Sequence, residues 1–258
     1  MNIPIIKSIS VGTGRPLVLL HAFPLSHVFW KNLQPPSGYR LILPDFPGFG
    51  DSPLAETGFT LEQAAQGLQK HLKETGITAP FTLGGISMGG YWAMEFVRQF
   101  PDQISRLLLI STRPGVDKPE GRQNRLNMAE RVEKEGVSFM PDLLIPGLLG
   151  GSSRSKNPAV VEQVRNWILT ANPHGVALAQ RAMANRRDQT PLLAGWRIPA
   201  LILAGSEDSL ISASESEAMS RALPDSQLSV LDRVGHLLPL EDPEEFQKNL
   251  NIFFRDVD

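Results

Sequence analysis

The sequence predicts an α/β fold: a mostly parallel sheet of about seven strands, flanked by helices and interrupted once by a helical insert. Three observations point there. Short runs are apolar on successive residues, the pattern of strands buried on both faces. Amphipathic helical patterns lie between the runs. One long stretch, residues 114–187, carries helical patterns but no buried strand.

The elements follow in order. A first strand is expected over residues 5–11. Further runs fall at residues 17–20, 39–43, 81–83, 107–110 and 200–203, each bounded by Gly, Pro or Asp. Helical patterns occupy residues 61–73, 89–99 and 213–223. A last strand at 227–231 and a last helix at 243–254 close the domain. Within the insert, helices are expected at 123–134 and 158–169, around an apolar Gly/Pro-rich piece at 140–149. Segments 1–113 and 188–258 would then form the core, and 114–187 the inserted unit.

Composition narrows the function. The chain has 258 residues, 41 % of them hydrophobic, which suits one large core. It has no cysteine, so disulfides, iron–sulfur clusters, thiolate zinc sites and cysteine nucleophiles are excluded. A net charge of -2 argues against nucleic acid as the main partner. No run approaches the roughly 18 apolar residues of a membrane span. The first residues lack a basic region followed by a long apolar stretch, so a soluble, cytoplasmic protein is expected.

The strongest motif is Gly85-Ile86-Ser87-Met88-Gly89, between an apolar run and a helical pattern. In that context the five residues read as a strand turning abruptly into a helix. The corner residue, Ser87, takes a strained backbone and is pushed out at the carboxyl end of the sheet. Gly85 and Gly89 stand where neighbouring chain comes too close for a β-carbon. The Met88 amide points the same way, at a helix N-terminus where partial positive charge gathers.

A serine hydroxyl needs a base. Of His21, His27, His71, His174 and His236, only His236 lies in the loop between the last strand and last helix, on the same sheet edge as Ser87. His71, beside Lys70 and Lys73, reads as part of a solvated helix face, and His174 as a turn residue. The base needs an orienter for its other nitrogen. Asp208 follows the run at 200–203 and is the candidate, with its neighbour Glu207 as a substitute. Asp225 and Asp232 read as solvated or capping groups.

Acyl transfer also needs two donors for the developing oxyanion. The Met88 amide is one. The second is the Phe23 amide, in the loop His21-Ala22-Phe23-Pro24-Leu25. His21 braces that loop, and Asp45 and Ser52, in Asp45-Phe46-Pro47-Gly48-Phe49-Gly50-Asp51-Ser52, read as structural.

Taken together, the His-Ala-Phe-Pro loop, the Asp-Phe-Pro-Gly-Phe-Gly-Asp-Ser stretch, Gly-Ile-Ser-Met-Gly-Gly, and Gly235-His236 with Glu241-Asp242-Pro243 downstream resemble the α/β-hydrolase superfamily over nearly the whole chain. The pieces Ile110-Ser111-Thr112-Arg113-Pro114 and Pro119-Glu120-Gly121-Arg122 are similar to the carboxylesterase and 3-oxoadipate enol-lactonase branch. The resemblance implies a serine hydrolase with a helical cap at residues 114–187 and no metal or organic cofactor. There are two departures. Ala22 stands where Gly is usual, and the N-terminus has room for one strand before residues 17–20, hence seven strands instead of eight.

The sequence reading is therefore a carboxylesterase acting on small, fairly apolar esters with Ser87, Asp208 and His236. Leu25, Phe139, Met140, Met183 and Leu237 are candidate pocket residues. Lactone hydrolysis or perhydrolysis by the same residues, or a low-turnover ligand receptor on this scaffold, are the alternatives. A carboxylated lactone would call for a buried cation, for which Arg113, Arg125 and Arg186 are the candidates. An Asp-nucleophile dehalogenase is disfavoured because Ser87 holds the nucleophile position.

Overall fold

The unbroken apolar runs become the inner strands of one sheet. A computed structural model describes residues 3–255; Met1, Asn2 and residues 256–258, at the ends of the expected core segments, lie outside the described residues. The strands are β1 (Ser8–Gly12), β2 (Arg15–Leu20), β3 (Tyr39–Pro44), β4 (Phe81–Ile86), β5 (Ile104–Ile110), β6 (Ala200–Gly205) and β7 (Ser226–Leu231). Their order is β1-β3-β2-β4-β5-β6-β7. Only β1 is antiparallel, to β3. Every residue of β4 and β6 is buried, because helices cover both faces.

The first strand begins at Ser8, later than expected. Beyond Pro44 its partner turns away. Lys7 then uses its carbonyl to accept from Asp45 N at 3.0 Å and its N–H to donate to Ser52 Oγ at 2.8 Å.

Helix α1 (Leu61–Glu74) starts with reciprocal bonds between Thr60 and Gln63, which satisfy two otherwise unpaired amides. His71 on this helix is half-buried, not solvated as its lysine neighbours suggested. Its Nε2 pairs with Ser8 Oγ at 2.8 Å and ties α1 to β1. Helix α2 (Met88–Gln99) is buried continuously from Met88 to Val97 and forms the centre of the core.

The stretch between β5 and β6 holds α3 (Pro119–Glu135), α4 (Met140–Leu148), α5 (Gly151–Lys156), α6 (Pro158–Leu169) and α7 (Pro173–Ala184). The apolar Gly/Pro-rich piece is helical, with Pro141 in the first turn and Pro146 inside. Helix α7 escapes the periodicity because its buried face is mostly Gly and Ala. Asn172 caps it by accepting from His174 N and Gly175 N, so His174 lies in a first helical turn and not in a loop. Helices α8 (Ala213–Ala222), α9 (Leu238–Glu241) and α10 (Pro243–Arg255) complete the chain. The Phe246 and Phe254 rings of α10 pack against Trp30 and Tyr39.

Register determines where the chemistry gathers. Leu20 lies opposite Gly85, Ile86 opposite Ile110, Ile110 opposite Leu203, and Gly205 opposite Leu231. The loops after β2, β4, β5, β6 and β7 therefore leave from one edge. The insert reaches that edge on both sides of β4. Gly175 of α7 touches Gly48 after β3, and Gly150 touches Gly235 after β7.

At the base of the insert, Asp117 gathers three arginines. It accepts from Arg186 Nη1 and Arg125 Nε, each at 2.6 Å, and from Arg113 Nη2 at 3.2 Å. Arg186 also donates to Gly115 O, which fastens the end of the insert to its beginning. Burial pushes the Asp117 carboxyl up, and the hydrogen bonds and charges of Arg186 and Arg125 outweigh it, holding it well below the usual range. The Asp117 and Arg186 side chains are 4 % and 3 % exposed, so removing either charge strands the other. Asp117→Asn is therefore expected to lower the unfolding free energy, measured in urea, by about 3–5 kcal/mol. This contribution is full above the ordinary aspartate range and is lost as pH falls through the depressed value. The gap between wild type and variant should narrow only in strong acid.

Candidate active site

Ser87 is the hinge between β4 and α2. Its φ of 55° lies in the left-handed region, at a cost of about 1–3 kcal/mol. The turn is held on each side. Ser87 N donates to Ile110 O at 2.9 Å, and the Ser87 carbonyl accepts from Gly90 N and from Thr112 Oγ1, each at 2.9 Å. A β-carbon on Gly85 would lie 2.1 Å from Gly89 O, and one on Gly89 2.2 Å from Leu20 O. Steric contact, not backbone flexibility, selects glycine at both places. Thr112 is a residue that sequence reasoning missed, since nothing in Ser111-Thr112-Arg113-Pro114 announces a bond to the serine turn.

The structure brings Asp208 and His236 together. His236 Nδ1 donates to Asp208 Oδ2 at 2.8 Å. The other carboxylate oxygen, Oδ1, accepts from Leu210 N at 2.9 Å and Ile211 N at 3.0 Å. Burial opposes ionisation of Asp208, yet the His236 hydrogen bond and charge and the two amides together hold its pKa below the usual value. With Nδ1 as donor, the neutral imidazole of His236 has its lone pair on Nε2. That atom is buried and has no hydrogen-bond partner among the described residues, Ser87 included. The neighbouring Glu207 faces away, accepting from Ser152 N at 2.8 Å and Ser152 Oγ at 2.5 Å.

The loop after β2 is braced by its own histidine. His21 is buried, Phe46 N donates to its Nε2 at 2.9 Å, and its Nδ1 donates to Ala22 O at 2.9 Å. Burial lowers the His21 pKa, in keeping with this neutral form. In a planar trans peptide the C=O and N–H point in opposite directions. Holding Ala22 O therefore aims the Phe23 N–H the other way. No loop or turn hydrogen bond among the described residues uses the N–H of Phe23 or Met88. Met88 opens α2, where an amide has no partner within the helix.

Behind this loop, Asp45 accepts from His27 N, His27 Nδ1 and Asp51 N at 2.6, 2.7 and 2.8 Å. Ser52 Oγ donates to Asp45 O at 2.7 Å. His27, Asp45 and Asp51 offer donor atoms within 4.8 Å of one another, but the hydrogen bonds already satisfy the Asp45 carboxylate.

The candidate pocket residues have these surroundings. Leu25 lines a cleft of about 240 Å³ with Phe49, Trp167 and Ala171. Phe139 lies under the Arg131 guanidinium, 3.6 Å from its ring centre. Met183 Sδ is 3.5 Å from Arg125 Nη1. Met140 and Leu237 are fully buried.

The profile of the alpha/beta hydrolase fold family matches residues 15–243. A thermophilic esterase from Thermogutta terrifontis, solved with malate bound, is 39 % identical, with a TM-score of 0.93 over 97 % of this chain and 93 % of its own. Lipase 3 of Moraxella sp. (strain TA144) is 26 % identical over 93 % of this chain and 78 % of its own length. A pimeloyl-[acyl-carrier protein] methyl ester esterase of Aromatoleum aromaticum is 26 % identical over 90 % of this chain and 95 % of its own.

The tight turn has a direct consequence. In Gly89→Ala, the added carbon meets Leu20 O and pushes β2 from α2. A loss of about 1–3 kcal/mol or more in urea unfolding is expected.

Proposed function

The chain belongs to the α/β-hydrolase family, and from that membership we propose that it cleaves small, fairly apolar carboxylic esters through an acyl-enzyme on Ser87. One observation carries this reading. His236, held through Nδ1 by Asp208, keeps Nε2 without a partner on the sheet edge where Ser87 sits in a strained turn. The 39 %-identical esterase and the lipase and methyl ester esterase relatives support ester bonds as the target.

In the proposed cycle, His236 Nε2 takes the Ser87 proton as Oγ attacks the ester carbonyl. The N–H groups of Phe23 and Met88 donate to the oxyanion, each lowering the barrier by about 3 kcal/mol. Asp208 stabilises the imidazolium. His236 then protonates the leaving alcohol, and water activated by the same nitrogen releases the acid. The insert, residues 114–187, acts as a cap over this edge, supported by its contacts with the loops after β3 and β7.

Charge favours uncharged esters over carboxylated lactones. A substrate carboxylate wants a free cation, but Arg125 and Arg186 are committed to Asp117, and Arg113 to Asp117 and Glu215.

The test is turnover of p-nitrophenyl esters from acetate to octanoate. Wild type should hydrolyse them steadily. Ser87→Ala and Asp208→Asn should each lower kcat by about 10⁴-fold or more. Turnover that survives Ser87→Ala would contradict the assignment.

A further inference from the structure

Glu241 lies outside the proposed proton relay, yet it touches both sides of the base. Its Oε2 accepts from Gly235 N at 3.0 Å and its Oε1 from Leu237 N at 3.0 Å, the two amides flanking His236. The same Oε2 accepts from Gly150 N at 2.8 Å, in the insert between α4 and α5. One carboxylate thus holds the base-bearing loop and the insert together. The single turn of α9 makes this possible by bringing residue 241 back beside residue 237.

Steric fit reinforces the junction. A β-carbon on Gly235 would lie 2.1 Å from Gly150 N, and one on Gly150 2.9 Å from Gly235 N. A β-carbon on Gly205, at the end of β6, would lie 2.1 Å from Gly235 O. The backbone therefore stacks from β6 through the His236 loop to the insert with no side chain between. Next to Asp208, Glu207 fastens the following residues of the insert through Ser152 N and Oγ, while Glu207 N donates to Val234 O at 2.8 Å. The acid loop, the base loop and the insert meet at one junction.

We propose that Glu241 is a positioning residue for His236, and that the insert, through Gly150, is part of what holds the base in place. This rests on the assignment of His236 as base. The insert then has a second task beyond covering substrate: its seating at Gly150 sets where Nε2 stands relative to Ser87. Displacing the base by a fraction of an ångström weakens proton transfer while leaving substrate contacts elsewhere intact.

The experiment compares wild type with Glu241→Gln, Glu241→Ala, Gly150→Ala and His236→Ala on p-nitrophenyl butyrate, well below each melting temperature. Glutamine keeps one acceptor oxygen and the side-chain volume; alanine keeps neither. Glu241→Gln is expected to lower kcat about 10- to 100-fold with KM within about twofold. Glu241→Ala should lose more, so activity is graded with acceptor capacity and not with folding, which circular dichroism and melting temperature follow separately. Gly150→Ala should lower kcat in the same direction, and the double variant Glu241→Gln/Gly150→Ala should lose less than the product of the two single losses. Wild-type kcat in Glu241→Gln, beside an inactive His236→Ala, would overturn the inference alone. Turnover retained by His236→Ala would overturn the base assignment and the inference with it.

Discussion

The approach of β2 and β4 to the start of α2 constrains the rest of the molecule. Gly85 and Gly89 bring backbone to backbone at distances that no β-carbon tolerates, and the chain reverses within one residue. Ser87 absorbs the strain in its left-handed φ, while Ile110, Gly90 and Thr112 hold its amide and carbonyl. The same turn opens α2 at Met88, so a helix N-terminus and its unpaired amide arrive beside the serine. The parallel register then brings the loops after β2, β6 and β7 to the same edge. Serine turn, helix dipole and loops share one placement because one close contact sets it.

Polar groups around that edge are fixed in advance. Asp208 spends one oxygen on two amides and the other on His236, so it stays ionised in a buried place and leaves the imidazole one orientation. His21 fixes the direction of a peptide by holding its carbonyl. Glu241 and Glu207 turn backbone amides and hydroxyls of the insert into anchors. Such groups need little reorganisation when charge develops, which is where an enzyme's electrostatic advantage lies. At the other end of the insert, Asp117 and its arginines do the mechanical work of closing the two connections onto the core.

Much of this was legible in the sequence, for physical reasons. Runs apolar on successive residues have few places to go except an inner strand of a covered sheet, and β2 to β6 follow from that alone. Glycine spacing around Ser87 is legible because the steric demand is local. Asp208 is distinguishable from Glu207 because a one-residue shift in a short loop turns the side chain to another side. What escaped depended on distant partners. His71 reads as a surface residue until Ser8 is placed against it. Helix α7 presents Gly and Ala inward, which leaves little periodic signal. The Glu241 to Gly150 contact joins residues 91 apart, and neither residue type announces it. Pocket lining is not legible in the sequence, since Met140 and Leu237, both fully buried, show the same apolar pattern whether they face substrate or core.

A covalent acyl intermediate at Ser87 is the central step of the proposed cycle. The most direct measurement is to mix the protein with a p-nitrophenyl ester, quench in acid within the first turnovers, and map the added acyl mass by peptide mass spectrometry. The expected result is the acyl group on Ser87 and nowhere else, accumulating with a burst of p-nitrophenol and clearing as substrate is exhausted. Steady hydrolysis with no acyl mass on the peptide carrying Ser87, or an adduct on another residue, would contradict it.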